Sequence, residues 1–378
     1  MLRRPDEALC FYQNGSALYA GFLDSGVYVS SDNGGSWSNI GLKGIEIQSL
    51  AAIGNYLFAG TSDEIGDGAV YRTTNKGGSW AKPANNVSTA AFALATDGNY
   101  LYTGTATGTG LYVSTNNGTT WTNSNALQAT VFSLAVVGSN LFAGTDNGMW
   151  LSTNHGKSWN AINTGLLGKS NWIYQFSLIG TTLFAATSGE GVCMTTNNGT
   201  SWSVTTSGLP KTNVSSITAT GQNLFVGTDS GVYLSSISGQ SWVSVNTELT
   251  IKKAQRVGVL GPNLYCSTVD IQTGNLVYYL WQRPLSEMID QNSEVSTVHS
   301  ESSVQAFPNP ASNEISFSLN ANTESDIRIV DLLGIERAHV QTKSEIARVS
   351  CSSLANGRYL TIIRENNSVC AVPISVQH

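Results

Sequence analysis

The chain has 378 residues, of which 41% are hydrophobic and only 12% are charged, and its formal net charge is −6. It contains no basic block, so the composition argues against a nucleic-acid partner, and no apolar run is long enough to span a bilayer as a helix. The 38 glycines are typical of an all-β protein with many turns. The length leaves room for one large repeat domain and one small domain.

Six similar segments recur along the chain, and each ends in a tryptophan. The separations between successive tryptophans are 43, 41, 38, 43 and 40 residues, and each tryptophan closes a short loop such as SSDNGGSW or TTNKGGSW. The six residues are Trp37, Trp80, Trp121, Trp159, Trp202 and Trp242. A period of about 40 residues with several short strands in each unit indicates a repeat architecture.

Residues 214–245 show one complete unit. The segments VSSITATG, NLFVGTD, GVYLSS and SWVSV read as four strands separated by short turns, which predicts an antiparallel meander. Inner strands of this kind recur around seven positions, Phe11, Leu50, Leu94, Leu134, Phe176, Ile217 and Val257. We therefore predict a β-propeller of seven four-stranded blades over residues 1–290, in which radial repetition leaves only short edges.

The third position of each tryptophan loop has a side chain suited to bracing a turn. It holds Asp or Asn in five loops, where the side-chain oxygen can accept hydrogen bonds from nearby backbone amides. These residues are Asp32, Asn75, Asn116, Asn154 and Asn197, and the sixth loop has Ile237 instead. The loops resemble the Asp-box (BNR) hairpins of sialidases, sortilin-type receptors and photosystem assembly factors, which are propellers. We interpret the box residues, including the tryptophans, as structural.

The N-terminal segment MLRRPDEALC contains two arginines but no apolar core of a secretory signal. Met1 lies almost at the first inner strand, so we expect no segment for the strand that completes the last blade in similar bacterial propellers. These features predict a chain shortened at its N-terminus, with an incomplete seventh blade.

The residues offer little for catalysis. A sialidase-like site would imply three arginines that hold a carboxylate, but the propeller arginines lie mostly near its ends and are Arg3, Arg4, Arg72, Arg256 and Arg283. Phosphate loops, zinc spacings and nucleophile elbows are missing, so we predict no metal, no cofactor and no enzyme activity. A glycoside hydrolase that uses two carboxylates is the alternative. The five scattered cysteines are interpreted as isolated thiols, with a Cys351–Cys370 pair as the alternative in the last domain.

One face of the propeller carries the turns between second and third strands together with the connections between blades. Its candidate ligand-binding residues are Trp172, Tyr174, Glu46, Asp63, Glu64, Asp67, Glu190, Asp229, Lys253 and Arg256. Trp172 offers a flat surface for a sugar or a peptide, and Arg256 is expected opposite it on the ring. The competing interpretation is that the acidic residues are turn formers and that the lysines keep the loops soluble.

The composition changes after Trp281. Residues 291–303 are polar and unpatterned, which indicates a linker, and alternating apolar residues in 304–378 predict a small β-sandwich. PNPAS (308–312), IRIVDLLG (327–334) and LANGRYL (354–360) occur in order. This segment resembles the type A C-terminal sorting domain of the bacterial type IX secretion system. The matching motif residues are Pro308, Asn309, Pro310, Gly334 and Gly357. An ordinary immunoglobulin-like module is the alternative.

The resemblance implies contact with the type IX machinery and export to the outer-membrane surface or to the medium. Together, these features predict an exported seven-bladed propeller that acts as a non-catalytic binding module for a glycan or a protein. The alternatives are a glycoside hydrolase with carboxylates at the propeller mouth and a scaffold similar to an assembly factor.

Overall fold

The computed structural model describes residues 2–4, 7–62, 68–106, 108–166, 172–210, 213–236, 239–247, 249, 253–272, 275–289, 306–309, 311–319, 324–330, 336–365 and 368–378. The chain forms two compact units, Met1–Ile289 and Asp290–His378. The predicted linker, 291–303, lies outside the described residues.

Seven antiparallel sheets make up the described part of the first unit, as predicted. Blade 1 contains β2 (Ala8–Asn14), β3 (Ala17–Phe22), β4 (Val27–Ser30) and β5 (Ser38–Asn39). Blade 2 contains β6 (Glu46–Ile53), β7 (Tyr56–Ser62) and β8 (Gly68–Thr73). Blade 3 contains β9 (Ala91–Thr96), β10 (Leu101–Thr105), β11 (Leu111–Ser114) and β12 (Thr122–Asn123). Blades 4 and 5 contain β13 (Val131–Val137), β14 (Asn140–Thr145), β15 (Gly148–Ser152) and β16 (Asn160–Ala161); and β17 (Ile173–Ile179), β18 (Thr182–Thr187), β19 (Gly191–Thr195) and β20 (Ser203–Thr205). Blade 6 contains β21 (Val214–Thr220), β22 (Asn223–Thr228), β23 (Gly231–Ser235) and β24 (Val243–Ser244). Blade 7 contains β25 (Ala254–Leu260), β26 (Asn263–Gln272), β27 (Asn275–Pro284) and β1 (Leu2–Arg4). A short helix, α1 (Ser286–Ile289), follows β27.

The seven inner strands form a closed ring. The inner strands of successive blades contact each other from β2 through β25, and β25 contacts β2. They surround a central channel with a volume of about 490 Å³. The all-β propeller predicted from the repeats is therefore confirmed.

The strand that completes the last blade is present, so its expected absence is wrong. β1 pairs antiparallel with β27, where Leu2 lies opposite Leu280 and Arg4 lies opposite Tyr278. The strand has only three residues, two of which are arginines, and it therefore lacks the apolar alternation by which a strand is usually predicted.

Blade 2 differs from the four-stranded pattern among the described residues. Its fourth strand is reduced to one bridge between Arg72 and Ala81. The side chain of Asn86 takes over part of the edge, since it accepts from the Val70 N–H at 3.0 Å and donates to the Val70 carbonyl at 2.8 Å. Pro83 lacks an N–H and cannot continue a ladder there.

Five of the six Asp-box turns are braced by their third residue. Asp32 Oδ1 accepts from the backbone N–H of Ser36 at 2.9 Å, and Oδ2 accepts from the Ser36 hydroxyl at 2.6 Å. Hydrogen bonds from Ser36 and Ser30 lower the pKa of Asp32 to about 2. The equivalent N–H bonds span 2.9–3.0 Å in the next four boxes, on Asn75, Asn116, Asn154 and Asn197. Ile237 lies outside the described residues.

The box tryptophans pack against the preceding blade. Trp80 donates its indole N–H to the Ile40 carbonyl of blade 1 at 2.7 Å, and Trp242 donates to the Thr205 carbonyl of blade 5 at 3.2 Å. Trp37 meets Tyr265 of blade 7 edge to face at 5.8 Å between ring centroids. The other three box tryptophans also pack in hydrophobic clusters with the preceding blade: Trp121 with blade 2, Trp159 with blade 3 and Trp202 with blade 4. Each box therefore joins two blades.

The seam between blades 6 and 7 uses a different tryptophan. Trp281, on the third strand β27, is buried in one hydrophobic cluster with Phe225 and Leu234 of blade 6. Met288 of α1 belongs to the same cluster and is fully buried. Trp281 and α1 thus provide the apolar packing between blades 6 and 7, because the sequence has no Asp-box in blade 7.

Several second strands have a glycine where the inner strand of the next blade comes close. A Cβ atom on Gly60 would lie 2.6 Å from the Ala91 carbonyl oxygen of the next blade, closer than real Cβ contacts. Gly104 and Gly144 face the next inner strand in the same way. Glycine here allows the backbone of the neighbouring blade to approach, as expected from the sequence.

The second unit is a sandwich of two sheets. One sheet contains β28 (Ala306–Phe307), β29 (Glu314–Ser318) and β32 (Ile346–Ser350), and the other contains β30 (Ser325–Val330), β31 (Glu336–Thr342), β33 (Gly357–Glu365) and β34 (Ser368–Val376). The alternating residues Ile315, Phe317, Ile327, Ile329 and Ile363 form its buried core.

The PNPAS segment is tied to the last strand. Asn309 Oδ1 accepts from the backbone N–H of Ser375 at 2.8 Å, and the Ala311 N–H donates to the Ser375 carbonyl at 2.8 Å. Pro308 lies just before Asn309 and Gly357 begins β33, whereas Pro310 and Gly334 lie outside the described residues. Cys351 is a free thiol, so the alternative of a Cys351–Cys370 disulfide is wrong.

We expect Trp202→Ala to lower the free energy of unfolding of the protein by about 3–5 kcal/mol, because it removes a buried indole from the seam between blades 4 and 5. Urea denaturation followed by circular dichroism measures the change. Val243→Ala, at an exposed position of β24, is the control and should change stability by less than about 0.5 kcal/mol. Equal stability of the two variants would contradict the role of the box tryptophan.

Candidate ligand site at the propeller mouth

Every inner strand has the same irregularity at the end nearest the mouth. The pairing with the second strand shifts by one residue there, which marks a β-bulge in all seven blades. The residues at the shifts are Leu9, Gln48, Phe92, Phe132, Tyr174, Ser215 and Gln255. A bulge turns a side chain away from the alternation of its strand, and the first six of these residues line the channel.

The bulge residues of blades 3, 4 and 5 are aromatic and form one cluster with Trp172. Ring centroids are 5.9 Å apart for Phe92 and Phe132, and 5.5 Å apart for Phe132 and Trp172. Tyr174 lies 6.2 Å from Phe132 and 6.3 Å from Trp172. The structure thus brings the predicted residues Trp172 and Tyr174 together and adds Phe92 and Phe132.

Trp172 is exposed and yet held firmly. Its side chain is 46% exposed. Its backbone N–H donates to Ser188 Oγ at 3.1 Å, and the Ser188 N–H donates to the Trp172 carbonyl at 3.0 Å. Phe132 and Tyr174 brace the indole from the side. An exposed aromatic ring with fixed surroundings loses little entropy when a ligand covers it.

Arg256 lines the channel but is partly committed to the ring. Its Nε donates to the Leu9 carbonyl of blade 1 at 3.1 Å, and one terminal nitrogen donates to the Gln255 carbonyl at 3.1 Å. Burial lowers the pKa of its guanidinium, while the negative charge of Glu7 opposes that effect. Arg256 therefore joins the seam between blades 7 and 1.

Tyr174 connects the aromatic cluster with charged groups of two other blades. Burial raises the pKa of its hydroxyl, and so does Asp229 on the turn of blade 6. The positive charge of Arg256 and a side-chain hydrogen bond with Ser188 oppose this rise. Tyr174 and Arg256 line the same channel, on blades 5 and 7, and Tyr174 contacts Trp172. The expectation that Arg256 lies opposite Trp172 on the ring is therefore wrong.

The structure describes three other predicted site residues, Glu46, Glu190 and Lys253. Glu46 is held on blade 2, where its carboxylate accepts from Gln48 and from Ser62, both at 2.7 Å. Glu190 accepts a weak hydrogen bond from the buried thiol of Cys193 at 3.9 Å. Lys253 is exposed on the connection before β25, and Asp63, Glu64 and Asp67 lie outside the described residues.

A second polar cluster lies on the Asp-box face, between blades 3 and 4. The Tyr102 hydroxyl donates to Asp97 Oδ2 at 2.8 Å and lies 2.8 Å from His155 Nδ1. His155 stacks on Tyr100 at 4.2 Å between centroids. Partial burial raises the pKa of the Asp97 carboxyl, but hydrogen bonds from Tyr100, Tyr102 and Asn99 outweigh it and leave the pKa below its usual value. These contacts fasten the fourth Asp-box to blade 3.

The C-terminal unit has a recognisable family. Residues 305–377 match the secretion system C-terminal sorting domain. The protein carries a type IX sorting domain. It is exported by type IX secretion to the bacterial cell surface or beyond. Across the described residues, no helix has the length and apolar character of a membrane span. No curated protein matches the chain significantly in sequence.

Solved structures similar to the chain are propeller proteins. The GH74 xyloglucanase from Xanthomonas campestris has a TM-score of 0.62 at 13% identity, with 76% of this chain and 53% of the xyloglucanase covered. PorZ, a surface component of the type IX secretion system of Porphyromonas gingivalis, has a TM-score of 0.52 at 12% identity, with 98% and 59% covered. YCF48 bound to D1 peptide has a TM-score of 0.56 at 14% identity, with 74% and 93% covered. The chain thus spans about half of the xyloglucanase, and these likenesses concern the fold.

We expect Arg256→Met to lower the free energy of unfolding by about 1.5–3 kcal/mol, because it removes charged hydrogen bonds at the closing seam and keeps most of the apolar stem. Urea denaturation measures the change. Lys253→Met, three residues away on an exposed connection, is the matched control and should leave stability within about 0.5 kcal/mol. A loss of equal size in both variants would contradict this role of Arg256.

We expect the contribution of Asp97 to stability to depend on pH. Because its pKa is lower in the folded protein than in the unfolded chain, the contribution is present above about pH 4 and is lost as the pH falls through the folded value. Guanidinium unfolding of the wild type and of Asp97→Asn between pH 7 and pH 2.5 should show a difference that shrinks below about pH 4. Asp24→Asn, on an exposed turn, is the control, and a difference for Asp97→Asn that grows with acid would contradict the assignment.

Proposed function

We propose that the protein is an exported, non-catalytic binding module whose ligand lies on the mouth of the propeller. The single observation that carries the proposal is the exposed ring of Trp172, which Phe132 and Tyr174 brace while Ser188 holds the Trp172 backbone. Covering a tryptophan on a preorganised surface is a strong source of binding free energy. The sorting domain delivers this surface to the cell exterior, where glycans and proteins are the available ligands.

The position of Trp172 supports a ligand site over simple surface exposure. Four large hydrophobic side chains are exposed among the residues that the structure describes, and they are Trp172, Val243, Phe307 and Ile346. Val243 lies on an outer strand and the last two lie in the sorting domain, so Trp172 alone stands beside the channel. Ligand sites in proteins are concave and combine aromatic walls with a few polar groups, and the channel mouth has both.

The alternative of a glycoside hydrolase draws on the fold shared with the xyloglucanase. Hydrolysis needs two carboxyl groups on opposite sides of one bond, about 5–9.5 Å apart. The described candidates Glu46, Glu190 and Asp229 stand on blades 2, 5 and 6, and both oxygens of Glu46 accept hydrogen bonds from its own blade. This arrangement favours binding. The scaffold alternative has support in YCF48, which was solved with a bound peptide, but a scaffold alone gives no reason for the aromatic cluster.

Trp172→Ala should weaken the binding of the mouth ligand at least about tenfold, a loss of about 1.4 kcal/mol, because it removes the exposed ring. The full chain and the variant are screened against arrays of glycans and of bacterial surface proteins, and each ligand found is titrated by calorimetry. Val243→Ala, which removes exposed apolar surface away from the mouth, should leave every affinity unchanged.

Unchanged affinity of Trp172→Ala for every ligand found, at wild-type thermal stability, would overturn the proposed site. Release of product from a bound glycan by the wild type, and its loss in Glu46→Gln or Asp229→Asn, would overturn the non-catalytic assignment. The two readouts are separate, since the first concerns affinity and the second concerns turnover.

A further inference from the structure

The aromatic cluster extends across several blades. Phe92, Phe132 and Trp172 come from blades 3, 4 and the connection into blade 5, and they follow one another at 5.9 and 5.5 Å. The successive ring planes differ by only 26° and 31°. The surface is therefore a strip longer than one ring, which fits an elongated ligand with repeated flat units.

Three of the four bulge residues of the other blades are uncharged and polar, and the fourth, Leu9 of blade 1, is apolar. Gln48 of blade 2, Ser215 of blade 6 and Gln255 of blade 7 occupy the ring positions that are aromatic in blades 3 to 5. The side-chain amide nitrogen of Gln48 and the hydroxyl of Ser215 donate within the propeller. Their oxygens can still accept hydrogen bonds from ligand hydroxyl groups. The mouth thus has an aromatic half beside a half that suits neutral hydroxyl groups.

The charged groups around the mouth have both signs. The described carboxylates include Glu46, Glu190 and Asp229, and the described cations include Lys253 and Arg256. Arg256 is partly occupied by the Leu9 carbonyl. Among the residues that the structure describes, a rim of mixed sign favours a neutral ligand over a polyanion or a polycation.

A peptide fits this surface less well. Peptides are commonly held by main-chain pairing at a sheet edge, by a groove for one helical face, or by separate pockets for alternate side chains. Phe92, Phe132 and Trp172 instead form one continuous row of aromatic rings. A pyranose ring has an apolar face of C–H groups and a periphery of hydroxyl groups, which matches an aromatic strip beside polar side chains.

We propose that the mouth binds a neutral, linear oligosaccharide of at least three sugar units, whose rings stack along Phe92, Phe132 and Trp172 and whose hydroxyl groups meet the polar half of the ring. The proposal rests on the proposed function, and it names the ligand class of that same site. Tyr174 contacts Phe132 and Trp172 and lines the channel together with Arg256, so one end of the oligosaccharide is expected there.

The test uses the full chain on one array that carries neutral, anionic and cationic oligosaccharides of one to six units together with a peptide library. Neutral oligosaccharides should bind, with an affinity that rises from one to three units. Trp172→Ala should reduce their binding at least tenfold. Phe92→Leu, which keeps apolar volume and removes the ring, should reduce binding of three-unit ligands at least threefold and leave that of one-unit ligands unchanged.

Val243→Ala is the control and should bind like the wild type, and thermal melting of each variant checks that the propeller is intact. Binding that depends on Trp172 but is confined to charged glycans or to peptides would overturn the ligand class and leave the proposed function standing. The absence of any probe whose binding depends on Trp172 would overturn both. Equal effects of Phe92→Leu on one-unit and three-unit ligands would overturn the extended strip.

Discussion

The contact on which the propeller depends is the packing of an indole against the preceding blade. Hydrogen-bonded ladders run within each blade, so neighbouring blades are held mainly by apolar contacts and a few side-chain bonds. In five of the six boxes, a turn braced by Asp32 or its Asn equivalents precedes the tryptophan. The same motif therefore stabilises one turn and one seam at once, and its repetition along the chain determines the ring.

The side chains at the bulges are not constrained by the packing of the two strand faces. In a regular strand every side chain belongs to one of two faces, and a change at any position alters the packing of that face. Phe132, Ser215 and the other bulge residues are released from this constraint, because the register shifts around them. The mouth can therefore vary from blade to blade while Asp-boxes on the other face remain alike. This explains why nearly all repeated residues are structural and why the candidate site lies where the repeats differ.

The repeat period, the blade count and the sorting motifs were predictable because each depends on local patterns that recur or stand in order. The closing strand Leu2–Arg4 was missed because its pairing partner lies at the far end of the propeller. Trp172 and Tyr174 were found as unusual aromatic residues at aligned positions. Phe92 was missed because an aromatic residue in an apolar strand looks like core, and only the bulge shows that it faces the channel. The contact of Arg256 with Leu9 likewise depends on ring closure.

The pairing of β1 with β27 has a consequence for the order of events during folding. The last blade draws its strands from both ends of the propeller sequence, so its sheet cannot be completed until the residues of β27 have become available to those of β1. Contacts of such long sequence separation form late and slowly. The ring of blades therefore closes only after both ends of the propeller sequence have come together.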